Sequence, residues 1–177
     1  NDHVNQFKKQ HFPIKTPNFN KLTDDITNKT TVFKNAQILL LEGWCCGSKA
    51  ISKKYLFKNI NNLENTFDKN KIWRQYYNSL LQNEYKDVFS LFDKQIYIQA
   101  PSFKNVLNWR YAQEKNNVSK SNNTNLMKKT DLIKFIQHYE KITKWMIKTM
   151  PAKADILIKI DNNQKIKKVF FKIDKFK

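Results

Sequence analysis

The stretch Ile38-Leu39-Leu40-Leu41-Glu42-Gly43-Trp44-Cys45-Cys46-Gly47 decides how this chain is read. An unbroken apolar run ends in a carboxylate, and a glycine follows at once. The run predicts a strand over 36–42, buried on both faces, as in a parallel sheet covered by helices. In such sheets ligands bind just beyond the carboxyl ends of the strands. Glu42 stands at that end. A carboxylate there can orient a magnesium ion or take a proton from an attacking hydroxyl. A strand-end glutamate facing solvent gives the same pattern, and the motif alone does not separate the two.

Gly43 and Gly47 are the only two glycines, and both lie in this motif. A phosphate-cradling loop of the G-x-x-x-x-G-K-[ST] type needs glycines ahead of its helix. No such loop occurs in these residues. The chain also opens on Asn1 without an initiator methionine. Together these features lead to the expectation of a piece of a longer protein.

At 177 residues and 21.2 kDa, one domain over 1–177 is the expectation. Hydrophobic residues at 40% and aromatics at 14% are enough for a sizeable core. The net charge of +18 invites a nucleic-acid reading. The arginine count argues against it: only Arg74 and Arg110 stand among the 33 basic residues, and the lysines are scattered. Recognition of phosphates and bases favours arginine. Abundant Asn, Ile and Phe with little Ala or Gly fits an AT-rich coding sequence better than a recognition surface. Cys45 and Cys46 are adjacent and have no metal-ligand spacing; His3, His11 and His138 do not cluster near them. Two small buried residues in a turn, in a reducing cytosol, is the expectation. No apolar segment is long enough to span a membrane, and no signal-peptide pattern opens the chain.

Along the chain, residues 1–12 look like the tail of a helix, and 13–37 are extended and polar around Pro13 and Pro17. Residues 48–70 are loop-rich, with Ser52 placed to cap a short turn. Ile72 to Phe92 carries Ile72, Tyr76, Leu80, Tyr85 and Phe89 at helical spacing. Gln95–Ala100 predicts a second strand, closed by Pro101, and Ser102 a cap for a helix running to about Val118. Residues 116–125 read as a mobile loop able to close over a site. A helix over 130–149 buries Leu132, Phe135, Ile136, Tyr139, Ile142, Trp145 and Met146. Asp155–Asp161 predicts a third strand; the lysine-rich end is left open. This order implies parallel connections and a layered α/β fold.

Arg110 falls on the wrong face of its helix. Phe103, Val106 and Leu107 define the apolar stripe, and Arg110 continues it. A charge there needs a partner. Glu114, four residues on, can pair with it within the helix. An arginine at the edge of a site, binding phosphate oxygens, gives the same placement. Both can hold, with Glu114 orienting the guanidinium.

Several segments carry a family resemblance in order over about 10–166. Pro17-Asn18-Phe19-Asn20-Lys21 with Asp24-Asp25 is similar to a P-x-F-D-K-x-x-x-D-R segment, and Leu41 to Gly47 to E-G-W-C-x-G. Asn62-Leu63-Glu64, Asp68, Trp73 to Asn78, Ala100 to Phe103, Val106-Leu107 and Trp109-Arg110 follow. Gln113-Glu114, Gln137 to Glu140, Thr143, Met150 to Ala152 and Ala154-Asp155 complete the series. The chain resembles the D-glycerate 3-kinase group of P-loop kinases, relatives of uridine kinase, phosphoribulokinase and pantothenate kinase. The resemblance implies a three-layer P-loop kinase fold, ATP and Mg²⁺ as cofactors, and transfer of the γ-phosphate to a hydroxyl of D-glycerate. It implies Glu42 near the metal and the hydroxyl, and Arg110 with Gln113 at the phosphates. It places Lys21 and Asp25 on the substrate side, with Trp44 and Arg74 beside a small carboxylate. There are two departures. Ile26 stands where the family has arginine, which puts the acceptor in doubt. The family's first strand and P-loop are not among these residues, so one side of the sheet is expected to lack its cover.

Three readings follow: a glycerate kinase, a related kinase for another small hydroxylated acceptor, or a non-catalytic binding fragment. Under all three, DNA or RNA binding is expected to be weak, salt-sensitive and without sequence preference. Fluorescence titration across salt checks this. Sub-micromolar, sequence-selective binding at physiological salt would contradict it.

Overall fold

The computed structural model describes residues 2–20, 23–120 and 128–172, with the side chains of 116–120 left aside. The chain falls into two compact units, Asn1–Cys46 and Gly47–Lys177.

The smaller unit holds α1 (Asp2–Lys8) and an antiparallel hairpin, β1 (Ile14–Asn20) and β2 (Asp25–Phe33). The segment 13–37, expected only to be extended, therefore pairs with itself. Thr31 donates to Asn18 Oδ1 across the hairpin at 2.8 Å. No strand forms over 36–42. Ile38 is 83% and Leu40 77% exposed, and among the described residues no strand pairs with them. A strand exists only through the ladder it joins, and an apolar run read from sequence does not supply the neighbour.

The larger unit contains α2 (Lys53–Phe57), α3 (Asn62–Thr66), α4 (Ile72–Gln82), α5 (Glu84–Phe89), β3 (Ile96–Gln99), α6 (Phe103–Lys120), α7 (Lys129–Thr149), β4 (Ile156–Ile160) and β5 (Ile166–Phe171). The sheet order is β3-β4-β5. β3 and β4 are parallel, joined by a crossover that contains α6 and α7; β5 returns antiparallel along β4. The unit is thus a mixed α/β layer structure with flanking helices. The helix expected over 72–92 breaks at Asn83, whose ψ of −93° leaves the helical region. Residues 121–125 of the expected mobile loop lie outside the described residues, and 116–120 continue α6.

The core is polar where the sequence pattern predicts apolar. On α4 the buried residues are Arg74, Asn78 and Leu81, while Ile72 and Tyr76 are exposed. Asn78 sits inside because it answers both backbone groups of Ile51: its Oδ1 accepts from the amide at 2.6 Å, and its Nδ2 donates to the carbonyl at 3.2 Å. Arg74 is 1% exposed. Its Nε donates to Asp68 Oδ2 at 2.7 Å and its Nη1 to Asn59 Oδ1 at 2.6 Å. Its Nη2 reaches the carbonyls of Glu64 and Asp68 at 3.1 and 2.9 Å. Asp68 also accepts from the Trp73 and Arg74 amides, so it caps α4 from outside the helix.

Lys141, on the inward side of α7, ends the short helix α2 in the same way. Its ammonium donates to the carbonyls of Tyr55, Leu56 and Lys58 at 3.3, 3.0 and 2.5 Å, and pairs with Glu64 Oε2 at 3.1 Å. Burial pulls its pKa below the ordinary lysine value, and the Glu64 carboxylate opposes that pull. Glu64 in turn accepts from the Ile60 amide at 3.0 Å. Four elements are therefore joined by one set of mutually satisfied charges. The inward face of α7 becomes Leu132, Ile136, Glu140, Lys141, Ile142 and Met146, with Phe135 left exposed.

Removing one member strands the others. Arg74→Met is expected to destabilise the chain by about 3–5 kcal/mol, because the buried Asp68 carboxylate loses its cation and the Glu64 and Asp68 carbonyls lose their donor. The neighbouring half-exposed Trp73→Ala should cost about 1 kcal/mol or less. Urea unfolding followed by circular dichroism compares the two; equal small losses would show that the network does not hold the fold.

Candidate functional site

The residues singled out in the sequence divide between the two units. Glu42, Trp44 and Asp25 belong to the smaller one; Arg74, Arg110 and Gln113 belong to the larger. Lys21 lies outside the described residues.

Glu42 does not end a sheet strand. It lies on an exposed segment outside any helix or strand that enters the turn Trp44–Gly47. That turn is tight: the Cys46 amide meets the Gly43 carbonyl at 3.4 Å, and Cys45 adopts φ +60°. Gly47 has φ +72°, and a Cβ there would fall 1.3 Å from Gln95 Nε2. The left-handed backbone favours glycine at the turn's exit, while the Gln95 amide, at the end of a flexible side chain, could move aside for a Cβ. The Glu42 carboxylate is close enough to raise the Cys46 thiol pKa, after burial, which raises it more. Trp44 is 47% exposed on the same turn. Asp25 Oδ1 accepts from the Ile26 amide at 2.6 Å at the start of β2, and Ile26 is 60% exposed.

Arg74 does not face a ligand. Each nitrogen of its guanidinium already meets a protein acceptor. The expectation that it sits beside a small carboxylate is corrected: the carboxylate it serves is Asp68. Arg110 is different. Its Nη2 pairs with Glu114 at 3.2 Å, the i+4 partner expected from spacing, and its Nη1 donates to Gln113 Oε1 at 2.9 Å. A third of its side chain stays exposed, so a planar donor group is held in a fixed direction at the surface of α6.

Sequence reasoning missed the cleft at the carboxyl ends of the parallel strands. It measures about 400 Å³ and is lined by Gln99, Ala100, Pro101, Lys159, Asp161 and Lys167 among others. This is the side of an α/β sheet on which ligands bind. The β4–β5 turn is organised by Asp161, whose Oδ1 accepts from the Asn163 and Lys165 amides at 2.8 and 2.9 Å. Asn162 anchors α6 to the cleft. Its carbonyl accepts from Trp109 Nε1 at 2.8 Å, and its Oδ1 from Asn105 at 2.9 Å. Lys159 and Lys167 give the cleft a cationic wall suited to an anionic ligand. The usable signal was that both predicted strands stop within a residue or two of Pro101 and Asp161.

Among the described residues no group of three His, Cys, Asp or Glu side chains could hold a metal ion, and no helix is long and apolar enough to cross a membrane. Neither cysteine is in a disulfide, and both are half-buried. Burial first, and then the Cys46 thiol, push the Cys45 thiol from 9.0 up to about 11. Fewer thiolates exist at a given pH when the pKa rises. Iodoacetamide alkylation of the folded chain at pH 7.5 is therefore expected to run about tenfold slower than that of the urea-unfolded chain. The rate should keep climbing well past pH 9; a plateau there would show an ordinary thiol.

No protein-family model and no curated protein matches the sequence. Solved structures do. The chain is similar to D-glycerate 3-kinase from Cryptococcus neoformans var. grubii, with a TM-score of 0.68 and 16% identity over 97% of this chain and 66% of that one. It is also similar to the YGR205w protein, with a TM-score of 0.60 and 17% identity over 96% of this chain and 61% of that one. The chain thus spans somewhat under two thirds of the length of these two structures, and it shares their P-loop kinase-like α/β fold.

Proposed function

We propose that this chain is the greater part of a cytosolic ATP-dependent kinase for a small hydroxylated acceptor, with D-glycerate as the first candidate. The observation that carries the reading is the fold likeness over 97% of the chain, joined to the ordered motifs around Glu42 and Arg110. In this reading the exposed Glu42 carboxylate takes the proton of the acceptor hydroxyl or orients it. Arg110, aimed by Glu114 and Gln113, meets phosphate oxygens. Asp25 and Trp44 serve the acceptor side. Exposed Ile26 leaves room for an acceptor other than D-glycerate, because it offers no charge to a carboxylate.

ATP would supply the phosphoryl group, and Mg²⁺ would neutralise its developing charge. A single carboxylate fits an ion held chiefly by phosphate oxygens, and Glu42 is that carboxylate. The triphosphate does not fit these residues alone, since no glycine-rich loop followed by Lys and Ser or Thr occurs among them. Residues 1–177 by themselves are therefore expected to bind Mg·ATP poorly in calorimetric titration and to release no ADP with D-glycerate. Protein expressed from the complete coding sequence should turn over, and Glu42→Gln should lower its kcat by about 10²-fold with its fold intact. Turnover by residues 1–177 alone, or a near-normal Glu42→Gln enzyme, would overturn the reading.

A further inference from the structure

α4 is turned inside out at its amino end. Arg74 and Asn78 face the core, while Ile72 is 70% exposed and Trp73 and Tyr76 are each 54% exposed. Phe67, just ahead of the helix, is 79% exposed. The chain presents these four side chains close together. The Lys71 amide donates to the Asp68 carbonyl at 3.0 Å, closing the turn that joins Phe67 to Ile72. The rings of Trp73 and Tyr76 stand 5.7 Å apart, centre to centre. The buried network imposes this orientation: the rotation of α4 that carries the Arg74 guanidinium to Asp68 turns the apolar side outward. Grouped apolar side chains of this kind mark an interaction surface, whereas scattered ones do not.

We propose that this patch docks the protein peripherally on the surface of an anionic lipid bilayer. The exposed charge around it has one sign. Glu64 and Asp68 are the only carboxylates in residues 49–83, and both are buried in ion pairs with Lys141 and Arg74. What meets solvent there is lysine: Lys58 and Lys69 are exposed, and Lys71 Nζ lies over the Phe57 ring at 5.3 Å. Tryptophan and tyrosine settle at the level of lipid headgroups, because each has an apolar body and a polar tip. Phe67 and Ile72 supply apolar area for the acyl boundary, and the lysines meet the anionic headgroups. Such a helix lies on the membrane and does not cross it, in keeping with the absence, among the described residues, of a helix long and apolar enough to span. A second copy of the chain is opposed, since a two-fold contact would set these lysines against each other. Single-stranded nucleic acid would use the lysines and the rings but has no use for Ile72, which offers no flat face to stack on. The inference rests on the orientation of α4 and not on the kinase reading, so a protein without kinase activity would still bind the bilayer.

The probe is a vesicle of about seven parts phosphatidylcholine to three of phosphatidylserine, at about 0.15 M salt. Residues 1–177 and the protein expressed from the complete coding sequence are both expected to float with these vesicles, and to float far less with phosphatidylcholine alone. Tryptophan emission should shift to the blue on binding. The double substitution Ile72→Ser with Trp73→Ser should lower vesicle affinity at least about tenfold. These positions are exposed, so circular dichroism should be unchanged; Phe67→Ser with Tyr76→Ser serves if the first pair disturbs the fold. Trp73→Phe should keep the affinity within about threefold and lose most of the blue shift, because a ring remains but the reporter is gone. Removing two exposed lysines of α7, by Lys134→Gln with Lys148→Gln, should cost less affinity than the apolar pair. Equal flotation of both serine pairs with the unaltered chain would overturn the proposal, since net charge alone would then account for binding. Failure of the complete protein to float would overturn it too, as would tighter binding to a short single-stranded RNA that the same serine pairs abolish.

Discussion

Arg74 brings separate turns of the chain to one point. Its guanidinium binds Asp68, Asn59 and the carbonyls of Glu64 and Asp68, and Glu64 extends the set to Lys141 on α7. A buried charge of this kind is costly unless every donor and acceptor is met. Here the condition is fulfilled: no buried side-chain nitrogen or oxygen among the described residues lacks a partner. The cost becomes a constraint on geometry, since a packing of α3, α4 and α7 that left any of these groups unmet would bear that cost.

From that constraint the rest of the larger unit follows. Lys141 closes α2 by taking its last carbonyls, and α7 is fixed in rotation about its axis. α7 then presents the Ile147 carbonyl to Gln99 on β3 and lies against one face of the sheet. Asp155 completes the seating. Its Oδ2 accepts from the Gln95 amide at 2.8 Å, which sets the level at which β3 begins beside β4. This bond, with Lys94 nearby, holds the Asp155 carboxyl below its ordinary pKa. The parallel strands consequently end together, and a cationic cleft opens where they stop.

The motifs that carry the family resemblance divide in the same light. Glu64, Asp68, Arg74, Asn78, Gln137 and Glu140 all serve the buried network or its borders; Gln137 Oε1, for example, accepts from the Leu63 amide at 2.9 Å. Glu42, Trp44, Asp25 and Arg110 have no comparable task. They lie at the surface, three of them on loop or strand-end positions, which is where chemistry is commonly carried on a rigid scaffold.

The sequence by itself determined the strands at 96–99 and 156–160, the helices after Pro101 and up to Pro151, and the pairing of Arg110 with Glu114. Each rests on local information: a run of β-branched residues, a proline, a spacing of four. Only the tertiary structure decided that Ile38–Leu41 lies open to solvent, that Arg74 is a strut and not a ligand-binding group, and that α4 turns a polar face inward. Whether an apolar run becomes a strand depends on a neighbour, and whether a charge can be buried depends on partners brought together from distant parts of the chain. Neither is written in local periodicity, which records what each residue prefers and not what the fold sets beside it.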